Sequence, residues 1–293
     1  MKTHTSDILV NCRMRLAPTA STSGRHHVRA VAAAILLFSA LTASSHAASI
    51  NYGNFPASTV MYTDVTESSD TDPVPLFGTP TVSGDSIDFT PVEFAASSLL
   101  HVPAVDHTDG HLVFGVMANP SKTIESISFE EGGGLTVGGF GTDATFVDVS
   151  AFGGIDVFQV DGQGISKLTI PIYLTFSFGN NAGFNDNGTW QLASQGFVND
   201  EWSGGQTIDI ADYLHTHGYP NAKGATKIMV ALDNKLYAQS EIEGSATIDK
   251  KDFGGLSVTV NAPVVPEPTT LTLAALGGLA LMVRRRFSGP AVG

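Results

Sequence analysis

Asp106-His107-Thr108-Asp109-Gly110-His111 is the densest run of metal-capable side chains in the chain. Imidazole nitrogens and carboxylate oxygens are zinc ligands, and His107 and His111 would share one face of a helix. Asp109-Gly110 breaks a helix, however, and no Glu follows His107, so the paired-histidine motif of zinc proteases is absent. The plainer reading is a polar hairpin turn that enters a strand at Leu112. His215 and His217 could share a metal on a strand. On a helix they point apart and serve its negative C-terminal end.

The stretch Asn180 to Gly188 is rich in side-chain oxygens. Asp186, Asn187 and nearby carbonyls could hold calcium, a hard ion that takes six to eight oxygens. The EF-hand pattern is missing, and Asn, Asp and Gly also build ordinary turns. Asp70 and Asp72, before Pro73, are a weaker case of the same kind. A structural calcium ion is therefore the one cofactor the residues suggest, and calcium is expected to raise the melting temperature if it binds. Trp190, Trp202, Tyr213 and Tyr219 lie close together in sequence. Trp190 and Trp202 are candidate glycan contacts, because aromatic faces stack on sugars; packing in a core is the alternative.

Hydrolase signatures are missing. The chain has no Gly-x-Ser-x-Gly, no His-Glu-x-x-His and no phosphate loop. Glu130 and Glu131 are adjacent carboxylates, but neighbours on a strand face opposite sides and cannot flank one glycosidic bond. Residues 48–262 contain no Arg, the usual bidentate clamp for anionic substrates. The residues point to no enzyme.

The elements that would position these groups read as β-strands. Two-residue alternation recurs at Ser86–Phe89, Leu112–Met117, Thr123–Phe129, Leu135–Phe140, Thr145–Val149, Ile155–Val160 and Lys167–Phe178. Pro171 marks the last of these as an edge or a bulge. Lys227–Leu232 and Lys235–Glu241 flank Asp233-Asn234, which reads as a tight hairpin turn. Ser245–Ile248 and Leu256–Val260 complete the set. One helix is expected, with Asp209 as N-cap, Ile210–His217 as its body and Gly218 past its end. Ten or so short strands with Gly-rich turns give an all-β domain, a β-sandwich or jelly roll, over 48–262.

Charge sorts the chain further. Residues 48–262 hold 7 Lys, no Arg and 26 Asp plus Glu, a formal net charge of −19. Such a body does not bind nucleic acid, which needs cations to displace counterions from phosphate. All seven arginines flank two apolar segments. Arg25 and Arg29 precede the apolar run Ala30 to Leu41, and Ser45-His46-Ala47 supplies small residues for cleavage after Ala47. Residues 1–47 thus have the plan of a secretory signal peptide, with Met14 as an alternative start and a membrane anchor as the alternative role. The only cysteine, Cys12, leaves with this leader.

At the other end, 263–268 is a proline-rich stalk containing Pro266-Glu267-Pro268. The apolar run Thr269 to Val283 follows and closes on Arg284, Arg285 and Arg286, so 269–286 reads as a short membrane helix with its arginines on the cytoplasmic side. The run gives about 22 Å of helix, shorter than a bilayer core of about 30 Å. Residues 287–293 are a tail.

Taken together, Pro266-Glu267-Pro268, a short apolar helix with Gly277-Gly278 and a terminal arginine cluster resemble the PEP-CTERM sorting signal of exported bacterial proteins. The resemblance covers about the last 28 residues. It implies export by the secretion machinery, handling by a membrane exosortase, and residence in the envelope or extracellular matrix of bacteria that make exopolysaccharide. The stretches TDPVPLFGTPTVSGDSIDFTPVEF and MVALDNKLYAQSEIEGSATIDKKDF are similar to uncharacterised ectodomains joined to such signals, a similarity that brings no activity with it. The expectation is an exported structural or adhesive protein, anchored by its C-terminal helix or released. Exopolysaccharide is a further partner if the domain is instead a carbohydrate-binding module, and a hydrolase is the remaining alternative.

Overall fold

The computed structural model describes residues 48–179, 188–251 and 256–263. The leader with Cys12 and Ala47, the pair Asp186 and Asn187, Pro266-Glu267-Pro268, the sorting helix, Arg284 to Arg286 and the tail all lie outside the described residues.

Within them the chain is an all-β sandwich of two antiparallel sheets. The first orders β1 (Ala48–Pro56), β2 (Val60–Ser69), β6 (Val105–Ala118), β13 (Ala225–Gln239), β8 (Phe146–Val160) and β11 (Thr189–Gln191), with β9 (Gln163–Tyr173) also on β8. The second orders β10 (Thr175–Phe178), β12 (Val198–Asp209), β7 (Ser126–Gly139), β15 (Leu256–Asn261), β4 (Ser86–Phe89) and β3 (Thr81–Ser83). On β7, β14 (Gly244–Lys250) continues the edge that β15 begins, and β5 (Ala95–Leu99) pairs with β14.

Alternation decides which side chains enter the core. On β7 the inward series is Ile127, Phe129, Glu131, Gly133, Leu135 and Val137, all buried. On β13 it is Ile228, Val230, Leu232, Asn234, Leu236 and Ala238. On β14 it is Gly244, Ala246, Ile248 and Lys250. Tyr62, Phe77, Phe94, Phe114, Phe129 and Phe178 are the largest fully buried side chains, and one continuous apolar cluster draws on both sheets.

Several expected turns lie inside strands instead. Asp233-Asn234 is not a hairpin turn: Asp233 pairs with His111 on one side and Phe152 on the other, and Asn234 with Gly110 and Ala151. A strand hydrogen-bonded along both edges leaves no place for a reversal. Asp109-Gly110 is likewise mid-strand in β6, where a Cβ on Gly110 would lie 2.7 Å from the Phe94 ring and 2.9 Å from Phe77. The three glycines 132–134 do not end a strand either. They carry β7 past β14, and a Cβ on Gly133 would fall 1.7 Å from the Asp249 carbonyl oxygen. Those glycines therefore set how closely β14 approaches β7. Thr145–Val149 and Ile155–Val160 join into the single strand β8, whereas Lys167–Phe178 divides at Leu174 into β9 and β10. Among the described residues β9 is bonded only to β8, so Pro171 does sit on an edge.

Among the described residues two helices are present rather than one. The short α1 (Leu192–Gln195) follows β11 and has no side-chain N-cap. The expected helix is α2 (Ile210–Thr216), capped by the Asp209 carboxylate, which accepts from the Asp212 amide at 2.7 Å.

Candidate functional site

On a strand, His107 and His111 do share a face, but four residues of β-structure separate them by about 13 Å, too far for one ion. Cross-strand pairing supplies a different group. His111 lies opposite Asp233, and Asp109 lies opposite Lys235. Ligand atoms of Asp109, His111 and Asp233 all fall within 4.8 Å of one another. This is a mixed nitrogen and oxygen set of the kind that binds a divalent ion. The Lys235 ammonium already stands 3.6 Å from Asp233 Oδ2, beside His111 Nδ1 at 3.9 Å, and itself caps the Phe152 ring at 5.3 Å. Lys235 thus offsets part of the acidic charge of this cluster on the outer face of the first sheet.

Asp70 and Asp72 belong to a turn locked by local bonds. Asp72 accepts from Thr71 Oγ1 at 2.7 Å, and the Asp72 amide donates to Ser69 Oγ at 3.0 Å. The carboxylate drawn to this turn is Asp109, whose Oδ1 accepts from the Asp70 amide at 3.3 Å. Nearby, buried Glu67 accepts from the amides of Leu76 and Phe77 and from the Tyr52 hydroxyl, so it anchors the segment that brings Phe77 into the core. Burial, together with the bond to Glu67, pushes the Tyr52 hydroxyl well above the usual phenol range.

His215 and His217 part on the helix as expected. His215 Nε2 reaches the Ala222 carbonyl at 2.6 Å, and His217 stacks on Tyr213 with ring centroids 3.9 Å apart.

Trp190 and Trp202 are not glycan contacts. They are 4% and 2% exposed, and each indole N–H donates to a backbone carbonyl, that of Gly196 and that of Asp249, both at 3.0 Å. Trp190 packs edge-on against Phe178 and Trp202 against Phe176. An indole sealed in the core has no face to offer a sugar. The outward aromatic pair is Phe146 and Tyr237, stacked at 5.4 Å on the first sheet beside His107, Asp148 and Ser150.

One edge of the sandwich carries a titratable clamp. The Glu241 carboxylate accepts from the Thr142 amide at 2.5 Å and from the hydroxyls of Thr142 and Thr145. Asp143 accepts from the Ser194 amide at 2.7 Å and from its hydroxyl. These donors favour the charged forms and hold both carboxyls below their ordinary values of 4.5 and 3.8. A depressed acid stabilises the fold above its unfolded pKa, and the contribution is lost as pH falls through the folded pKa. The clamp therefore loosens only in acid. In an NMR titration the Thr142 and Ser194 amide shifts are expected to move with midpoints below 4.5 and 3.8. Midpoints at or above those values would contradict the clamp.

The inward polar residues form the most unusual group. Glu130 is exposed while Glu131 points into the core, so the two carboxyls do face opposite sides. The Lys250 ammonium contacts Glu131 Oε2, and it donates to Asn234 Oδ1 at 2.5 Å. Both side chains of the ion pair are fully shielded from solvent. Aromatic rings close the surroundings: Phe94, Trp202 and Phe77 lie 5.2, 5.6 and 5.9 Å from Lys250 Nζ. Two polar atoms of the group, Glu131 Oε1 and Asn234 Nδ2, have no hydrogen-bond partner among the described residues. Desolvation drives both ionisable groups toward neutrality, the Glu131 carboxyl upward and the Lys250 amine downward, against their mutual attraction. The strand pleat turns these three side chains inward, and the pairing of β7 with β14 across Gly133, with β13 facing them, brings them together.

A family model for the PEP-CTERM protein-sorting motif matches residues 264–286. The chain carries a PEP-CTERM sorting signal. That signal marks the protein for export, for processing by an exosortase and for association with the membrane or envelope. Pro266, Glu267, Pro268, Arg284, Arg285 and Arg286 all fall within the matched span. Among the described residues no helix is long and apolar enough to cross a membrane. No curated protein matches the chain. Among solved structures, a family 12 xyloglucanase from Bacillus licheniformis shares 13% identity, covering 67% of this chain and 99% of its own, with a TM-score of 0.20. The infectious bursal disease virus VP2 subviral particle shares 13% identity over 78% of this chain and 58% of its own, with a TM-score of 0.10. Likenesses at those scores carry no argument about activity.

Proposed function

We propose that this protein is a non-catalytic structural or adhesive component of the cell envelope or extracellular matrix, delivered by its sorting signal. The observation that carries this reading is the PEP-CTERM motif at 264–286, which follows closely on the strand Leu256–Asn261 of an acidic β-sandwich. In this reading residues 1–47 are removed after Ala47 and 263–268 act as a stalk. The helix over 269–286 then holds the domain outside the membrane until an exosortase acts. The net charge of −19 over 48–262 keeps neighbouring copies apart at low ionic strength and lets divalent cations bridge them.

Removing residues 264–293 tests the reading. The truncated chain is expected to lose envelope association and to appear in the culture medium or periplasm, while the full chain stays with the envelope or matrix. An unchanged distribution would overturn it.

A second reading, binding of matrix exopolysaccharide, is supported by the outward Phe146–Tyr237 stack with Asp148 and Ser150 beside it. It no longer involves Trp190 or Trp202.

A further inference from the structure

We propose that Lys250 and Asn234 join in a self-generated isopeptide bond, with Glu131 as the proton carrier, so that the two sheets are covalently linked through the core.

The reactive atoms are already in place. Lys250 Nζ lies 2.5 Å from Asn234 Oδ1. The amide carbon Cγ is one carbonyl bond of about 1.23 Å further on, so the amine is at most about 3.7 Å from it, close to the separation of a near-attack conformer. Burial works in the same direction. It favours a neutral Lys250 amine, which is a nucleophile, and a protonated Glu131 carboxyl, which is an acid. Phe77, Phe94 and Trp202 keep water away, so hydrolysis does not compete.

The step balances without any co-reactant. The Nζ lone pair forms a bond to Asn234 Cγ while Glu131 hydrogen-bonds the carbonyl oxygen as negative charge develops there. Glu131 accepts one proton from Nζ and delivers one to Nδ2. The Cγ–Nδ2 bond breaks, ammonia leaves, and Glu131 ends in its starting protonation state. No electron is gained or lost.

The orphaned atoms support the assignment. Before reaction the core holds the desolvated Glu131–Lys250 pair and two buried polar atoms, Glu131 Oε1 and Asn234 Nδ2, that have no partner among the described residues. Each such group costs stability. After reaction the free amine and Nδ2 are gone, and one amide N–H and one carbonyl remain to meet the Glu131 carboxyl. Asn234 sits on β13 of the first sheet and Lys250 on β14 of the second, so the bond would staple the sandwich. Residues 48–262 have no cysteine with which to do this by disulfide.

Tryptic mapping of the full chain, purified in detergent and checked for cooperative unfolding, tests the proposal. Trypsin does not cut after an acylated lysine, so residues 228–235 and 236–251 are expected as one branched peptide. It should be lighter than the two parts together by one ammonia, about 17 Da. Asn234→Asp is expected to give the same branch with loss of water instead, about 18 Da against its own unlinked mass. Asn234→Ala is expected to give no branch, and Glu131→Gln to lose it or slow it at least tenfold. Recovery of 228–235 and 236–250 as separate, unmodified peptides from the folded wild-type chain would overturn the proposal, whatever the variants do.

Discussion

Replacing Glu131 by alanine is expected to lower the unfolding free energy by about 3–5 kcal/mol, a fall in melting temperature on the order of 6–20 °C for a domain of this size. Lys250 would lose its carboxylate partner in a site shielded from solvent, keeping only Asn234 Oδ1 and three aromatic rings. An ammonium left so placed must either bear its desolvation cost or give up its proton. The vacated volume beside Phe77 and Phe94 adds a cavity term. If the isopeptide bond forms, the variant also forfeits closure of the loop between positions 234 and 250, roughly 3 kcal/mol by analogy with a disulfide of that span, and the total loss rises to about 6–8 kcal/mol. Glu131→Leu combined with Lys250→Met is expected to regain most of the stability of the unlinked protein, because apolar isosteres of a buried ion pair are tolerated well. Thermal or denaturant unfolding reads both. A Glu131→Ala protein melting within about 2 °C of the parent would show that the interior pair does not contribute as described.

Trp202→Ala should be nearly as costly, about 3–5 kcal/mol. The indole is 2% exposed, donates to the Asp249 carbonyl at 3.0 Å and packs edge-on to Phe176 with centroids 6.0 Å apart. It also forms one wall around Lys250. Truncation would therefore open the core exactly where the charged pair depends on exclusion of water. Trp202→Phe keeps most of the apolar volume and loses a single hydrogen bond, so its cost is expected to be on the order of 1 kcal/mol. Equilibrium urea unfolding separates the two. An alanine variant of unchanged stability that failed to bind polysaccharide would return Trp202 to the surface role that its burial removes.

Much of the fold was legible in the sequence because alternation is a local signal. The strand Ser86–Phe89, the helix that starts after Asp209 and the edge character around Pro171 follow from residue type over a few positions. Turn signals misled where pairing overrides them. Asp233-Asn234 and Asp109-Gly110 have turn chemistry, yet the first is paired along both edges of β13 and the second is paired with Lys235 and Asn234 within β6. Asn234 could have been found, since it continues the apolar series Ile228, Val230 and Leu232 into Leu236 and Ala238. A polar residue in an inward series is a sign of a buried partner. The partner itself was beyond local reading. Glu131 and Lys250 are 119 positions apart, and their meeting depends on the register of β14 against Gly133. The same holds for His111 with Asp233, where cross-strand pairing replaced the His107–His111 pair suggested by spacing. For Trp190 and Trp202 composition left two outcomes, and burial chose packing. The sorting signal needed no tertiary information, because its order of tripeptide, apolar helix and arginines is linear.

Fractionation of the native cells, followed by mass spectrometry of both ends of the protein, bears most directly on the central assignment. The account predicts a chain recovered with the envelope or extracellular material, beginning at Ala48 and altered at or beyond Pro266-Glu267-Pro268. An intact polypeptide running from Met1 to Gly293 and found in the cytosol would contradict it.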